Sequence, residues 1–254
     1  MEVTLIGMGL GDPTTLTAQA VRALEGADGL IGARRLVEGL NLGREVPRYP
    51  ATKGTEILEI LCRSGLERPC VLYSGDTGFY SGARSLTALL ENMLELSQLV
   101  SSESPLPVAQ TDIRLLCAER LELQKQLGDN PAVEYVNEAG TEIEIPTNAF
   151  YLTRVVDNLL HNAAKFTAAG RITLRCRNDE SRRTLQISVS DTGIGIPPEK
   201  QEWVFERFTK VDPFKPGSGI GLYLCRLIVT RLGGDIRVCP EYSGGCCIRI
   251  ELPY

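Results

Sequence analysis

Between residues 149 and 222 the chain runs through a long amphipathic helix, a strand that ends in an Asp-Thr-Gly-Ile-Gly-Ile-Pro turn, and a glycine-rich loop that opens into another helix. Helices and strands joined by glycine turns bury their apolar faces by layering the helices on a sheet. In the first helix, Ala149 to Lys165, residues Leu152, Val155, Val156, Leu159, Leu160 and Ala163 recur at i, i+3, i+4, i+7, i+8 and i+11. That is one core-facing stripe. Asn158, Asn162 and Lys165 run along its edge, since about 100° per residue places them neither in the core nor on the fully solvated face.

Two amides and an ammonium side by side suit a metal and its phosphates. An amide oxygen is a hard ligand for Mg²⁺, and a lysine neutralises phosphate oxygens without competing for the metal. The plainer reading of the same edge is an Asn-rich helix face in water. At the following turn Asp191 ends a strand, and Gly193 and Gly195 open the backbone to a ligand. A carboxylate there can accept from the exocyclic amine of adenine, which selects ATP over GTP because guanine presents no donor at that place. VFERFTK sets Phe205 and Phe208 three residues apart, and KPGSGIGLYLCRLIV sets Gly217, Gly219 and Gly221 at the start of a helix from Gly219 to Leu232, stopped by Gly233 and Gly234. A glycine lid on a helix N-terminus favours anions through free N–H groups and the helix dipole. Taken singly, the glycines read equally as turns and the phenylalanines as core.

As an ordered set, NLLHNAAKFT, DTGIGIP, VFERFTK and GSGIGL resemble the ATP-binding domain of sensor histidine kinases of two-component systems. The resemblance implies a Bergerat-type α/β sandwich over residues 111–254. It also implies that Asn162 holds Mg²⁺, Asn158 supports metal or phosphate and Lys165 meets phosphate, with Asn162 and Lys165 as the catalytic pair. Asp191 would read adenine, Gly193 and Gly195 would line the purine pocket beside Phe205 and Phe208, and Gly217, Gly219 and Gly221 would form the lid. ENMLELSQL resembles the end of the second dimerisation helix of those kinases, so residues 92–110 read as its remnant and a linker. His161 is the single histidine. It falls about 180° from the apolar centre of its helix and is expected at the surface rather than as a phospho-acceptor. The expected function is Mg-ATP binding by a kinase-type catalytic domain without its own acceptor histidine. Its partners would be ATP and a response regulator or a dimerisation and phospho-acceptor domain in trans.

The first 91 residues read differently. A strand from Glu2 to Ile6 meets Gly7, Gly9, Gly11, Asp12 and Pro13 before a helix from Leu16 to Leu24, and a helix from Glu56 to Leu61 precedes a strand from Cys70 to Tyr73 and the turn SGDTGFYSGA. Strands alternating with helices imply a parallel α/β fragment whose ligand loops lie beyond the carboxyl ends of the strands. IGMGLGDPTTLTAQAVRALEGAD with YSGDTGFYSGA resembles the opening of a cobalamin-pathway precorrin methylase of the tetrapyrrole methylase family. That resemblance implies contacts to S-adenosylmethionine from Gly9 and Asp76, and it supplies the alternative function of precorrin methyltransferase. The likeness ends near residue 91, whereas the family closes its cleft with a second α/β domain, so methyl transfer is not expected.

Composition bounds the rest. A net charge of −5 argues against a broad nucleic-acid surface. No apolar run is long enough to span a bilayer, and the start lacks the basic and apolar regions of a signal peptide, so a cytoplasmic location is expected. The eight cysteines include no C-x-x-C pair and read as reduced thiols.

Overall fold

In the first of two units, Met1–Glu95, strands β1 (Thr4–Gly7), β2 (Gly29–Gly32), β3 (Arg48–Pro50) and β4 (Pro69–Tyr73) pair in parallel in the order β1-β4-β2-β3. Side chains alternate across a strand, and β4 shows both faces covered. Cys70 and Leu72 pack with Leu24, Leu36 and Val37 from α1 (Ala18–Gly26) and α2 (Arg34–Gly39). Val71 and Tyr73 pack with Ile57 and Leu61 from α3 (Gly54–Arg63) and with Leu86. The Thr17 hydroxyl caps α1 by accepting the Ala20 N–H at 3.2 Å. This computed structural model describes residues 1–9, 15–75, 82–84, 86–87, 89–91, 99, 105–128, 130–140, 143–212 and 219–254.

The second unit, Leu96–Tyr254, holds a five-stranded mixed sheet. Its strands are β6 (Val133–Ala139), β8 (Gly170–Asp179), β9 (Thr184–Asp191), β10 (Asp235–Val238) and β11 (Cys246–Pro253), in the order β10-β11-β9-β8-β6. Only β6 and β8 are parallel. A two-stranded antiparallel ribbon joins β5 (Ala109–Asp112) to β7 (Glu144–Thr147). Along β9, Leu185, Ile187, Val189 and Asp191 are buried while the residues between them are half-buried, so one face of the sheet is closed over. Helices α4 (Ile113–Leu127), α5 (Ala149–Phe166) and α6 (Gly221–Arg231) close it.

Side-chain caps fix where two of these helices begin. Asp112 accepts the Leu115 N–H at 2.9 Å and Asn148 accepts the Tyr151 N–H at 3.0 Å, each worth about 1 kcal/mol. All six residues of the α5 stripe are buried, as their spacing predicts. The third helix starts later than its sequence suggests. Gly219 has φ +70°, and a Cβ there would stand 2.6 Å from Thr209 O, so it belongs to the loop and α6 begins at Gly221. Among the described residues no helix is long and apolar enough to cross a membrane.

Candidate functional site

The open edge of α5 carries Asn158, Asn162 and Lys165, all half-buried, while His161 is exposed. Asn158 is held by its own helix, its Nδ2 donating to Arg154 O at 3.0 Å. Its Oδ1 faces the start of α6, where a Cβ on Gly221 would lie 3.0 Å away. Glycine there lets α6 begin against the amide. Among the described residues no side chain caps α6, and its first turn holds no acidic residue, a helix start of the kind that suits an anion. The Lys165 ammonium lies 4.8 Å from the centre of the Phe166 ring.

Asp191 ends β9 on the covered face and is 5% exposed. Its Oδ1 accepts the N–H of Gly193 at 2.8 Å and that of Cys246 at 3.3 Å. Burial pushes the carboxyl above the ordinary aspartate range, and the two backbone donors pull the other way. Gly193 passes so close to the end of α5 that a Cβ would stand 2.3 Å from Phe166 O. Gly195 has φ +70°, a conformation costly for any residue with a Cβ.

Phe205 is 1% exposed, with the Arg226 guanidinium 4.3 Å from its ring centre. It ties the segment after the Asp191 turn to α6. Phe208 is 37% exposed at φ +63°, and the backbone of Phe208 and Thr209 crowds against Gly219. Asn158 and Gly221 thus meet, as do Asp191 and Gly193, and Phe208 and Gly219. Gly217 lies outside the described residues.

Sequence reasoning reads a strand from Cys247 to Leu252 but missed that its start completes the Asp191 turn. Gly245 ends the β10–β11 connection and Cys246 begins β11, and a Cβ on Gly245, at φ +153°, would stand 2.3 Å from Asp191 O and 2.7 Å from Gly193 N. Ser-Gly-Gly at 243–245 was the available signal, a glycine pair where two backbones pass closely.

In the first unit, Gly9 has φ +54° and Gly75 φ +65°, and the Gly75 N–H donates to Gly9 O at 2.8 Å. With β1 and β4 adjacent, this bond joins two loops beyond the carboxyl ends of neighbouring parallel strands. Asp76, Gly11, Asp12 and Pro13 lie outside the described residues.

Comparison with known proteins follows the same division. Residues 147–254 match the family described as histidine kinase-, DNA gyrase B- and HSP90-like ATPase, and residues 2–98 match Tetrapyrrole (Corrin/Porphyrin) Methylases. The sensor-like histidine kinase SenX3 of Mycobacterium tuberculosis is 29% identical over 175 residues, 67% of this chain and 42% of SenX3. The chain therefore spans well under half the length of that relative. The mycobacterial sensor histidine kinase MprB superposes with a TM-score of 0.51 at 30% identity, covering 57% of this chain and 97% of that one. Full-length ShkA, solved in complex with AMPPNP, gives 0.63 at 26% identity over 70% of this chain and 37% of its own. The second unit carries an ATP-binding domain of the histidine kinase-, DNA gyrase B- and HSP90-like ATPase family, of the histidine kinase kind, joined to a first unit that matches the tetrapyrrole methylases.

Proposed function

We propose that the second unit binds Mg-ATP between α5, the Asp191 turn and the start of α6, as the catalytic domain of a two-component phosphotransfer system. The observation that carries this reading is the buried Asp191 carboxylate, held through one oxygen by the Gly193 and Cys246 amides. An acceptor fixed in that way can take the adenine amine without reorganising. Asn158, Asn162 and Lys165 on one helix edge are suited to the phosphate end. Among the described residues no cluster of three His, Cys, Asp or Glu could hold a metal. That fits Mg²⁺, which takes one or two protein oxygens and completes its shell with phosphates and water. Asn162 would hold it, and the ion would neutralise charge on the phosphates.

The chain's own residues would bind and orient. Asp191 selects the base, Lys165 meets a phosphate oxygen, and the α6 N-terminus with Gly219 and Gly221, together with Gly217, covers the phosphates. Gly193 and Gly195 would line the purine pocket, and Phe205 and Phe208 would shape it. The phosphoryl acceptor would be a histidine on a dimerisation domain in trans, with a response regulator next, in the cytoplasm. The domain division that goes with this reading takes residues 92–110, of which 92–98 and 100–104 lie outside the described residues, as helix remnant and linker and 111–254 as the ATP-binding part.

Calorimetric titration of the full chain with Mg²⁺ and a non-hydrolysable ATP analogue tests this. Saturable binding weakened by Asn162→Ala is expected; absence of binding would overturn it. The Gly75–Gly9 bond favours a second reading, in which the paired loops of the first unit (residues 1–91), Gly9 and Asp76 included, retain contacts to S-adenosylmethionine. Titration with that cofactor alone separates the two, since binding without any response to ATP would move the function to the first unit.

A further inference from the structure

Cys239 follows β10 directly and lies opposite Cys247 on β11, one step beyond the Val238–Ile248 pair. The Cys239 N–H donates to Cys247 O at 2.8 Å, and the Cys247 thiol donates to the Cys239 sulfur at 3.3 Å. Residues facing each other across an antiparallel pair have Cα atoms roughly 4.5–5.5 Å apart, within the span that a disulfide bridges. The neighbour of Cys247 is Cys246, whose N–H is the longer of the two bonds that hold Asp191.

We propose that Cys239 and Cys247 are a redox-active dithiol that a hydroperoxide closes to a disulfide, weakening nucleotide binding at the adjacent Asp191. The effect on binding rests on the ATP reading above. In the first step the Cys239 thiolate attacks one peroxide oxygen, the O–O bond breaks, and the hydroxide or alkoxide that leaves takes a proton to become water or an alcohol. In the second step the Cys247 sulfur attacks the resulting sulfenic acid, the S–O bond breaks, and water departs with the remaining proton. Two thiols and one hydroperoxide thus give one disulfide, one water and one further water or alcohol.

Surroundings favour Cys239 as the first nucleophile. The hydrogen bond from Cys247 lowers its thiol below the ordinary cysteine value, burial opposes this, and Arg249 and Arg237 add to the lowering while Glu241 acts against it. Both sulfurs are buried, Cys239 at 2% exposure and Cys247 at 7%. Access comes through β10, a four-residue strand that among the described residues lies at the sheet edge and pairs with β11 alone, because weakly held edges open locally. The other close pair, Cys117 and Cys176 at 3.1 Å, joins α4 to the inner strand β8 at 0% and 1% exposure and has no such opening.

Closing the bridge brings the sulfurs from 3.3 Å to about 2 Å. That draws Cys247 toward β10 and shifts the Cys246 amide relative to Asp191.

Trypsin leaves Cys239, Cys246 and Cys247 together on the peptide Val238–Arg249, so the full chain is treated with hydrogen peroxide, alkylated, digested and sequenced by mass. Only Cys246 of that peptide is expected to be alkylated. Affinity for the ATP analogue is expected to fall roughly tenfold, the loss of one hydrogen bond to a charged group, and to return with dithiothreitol. Cys239→Ala and Cys247→Ala should each bind as the reduced chain does in both states. Alkylation of all three cysteines after peroxide overturns the proposal. A closed pair with unchanged affinity also overturns it, as does an affinity loss that survives in Cys239→Ala and vanishes in Cys117→Ala. A reduced chain that binds no nucleotide overturns this coupling together with the ATP reading, whereas reduced binding indifferent to oxidation overturns the coupling alone.

Discussion

The Gly193 N–H donates to Oδ1 of Asp191 at 2.8 Å, and a Cβ on Gly193 would crowd that same oxygen at 2.9 Å. The bond closes the turn after β9, and the missing side chain is what allows the closure. Both of the backbone bonds to this carboxylate fall on Oδ1, so Oδ2 is the oxygen that neither amide uses.

Asp191→Asn should lower affinity for the ATP analogue by roughly ten- to a hundredfold, since a hydrogen bond to a charged acceptor is worth about 1.5–3 kcal/mol. The same titration should show pH dependence. Burial raises the carboxyl above its ordinary value of 3.8, so as the pH falls through the raised value the acceptor is protonated and binding weakens. Folding runs the opposite way. The contribution of Asp191 to stability is fully present below the ordinary value and is lost as pH rises through the raised one. Binding that held steady as the pH fell through 3.8 would refute this account.

Asn162→Ala should remove the enhancement of ATP binding by Mg²⁺ while leaving adenosine binding unchanged. Lys165→Met should weaken the triphosphate and spare adenosine too, since it removes the ammonium and keeps an unbranched chain of similar length. Measuring adenosine and ATP, each with Mg²⁺ and with chelator, separates a metal ligand from a phosphate contact. Equal losses for adenosine and ATP would assign both residues to the fold instead.

Local signals were legible because they act within a few residues. The α5 stripe follows from its spacing, and β4 runs where Cys70 to Tyr73 places it. β2 and β3 were not legible, for GLIG and RYP are too short to show a period and become strands only by pairing with β4 and β2. At the site, Asp191 and Gly193 are two residues apart and could be read together, whereas Cys246 reaches Asp191 through sheet register, 55 residues away in sequence.

Gly245→Ala tests that distant contribution. Its Cβ would meet Asp191 O at 2.3 Å at φ +153°, and overpacking of backbone against backbone costs about 1–3 kcal/mol. The melting temperature of the second unit should fall by roughly 2–4 °C per kcal/mol. Gly43→Ala, where nothing stands within 4 Å of the added Cβ, gives the contrasting case in the first unit, with only the cost of its φ of +67°. Equal effects at the two glycines would show that close approach at Asp191 contributes nothing.

Phe208 offers a sharper separation of strain from contact. It holds φ +63° and is 37% exposed as a residue, and a left-handed backbone costs an L-residue about 1–2 kcal/mol. Phe208→Ala keeps that cost and removes the ring, while Phe208→Gly removes both. The glycine variant should therefore be the more stable of the two by about 1 kcal/mol, despite the greater freedom of its unfolded chain. Nucleotide affinity should fall by the same factor in each, because neither presents a ring to the glycine loop that packs on this backbone at Gly219. Thermal melts and analogue titrations on the two variants decide it. A glycine variant melting below the alanine variant would mean that the left-handed turn is not strained, and unchanged affinity in both would remove Phe208 from the nucleotide site.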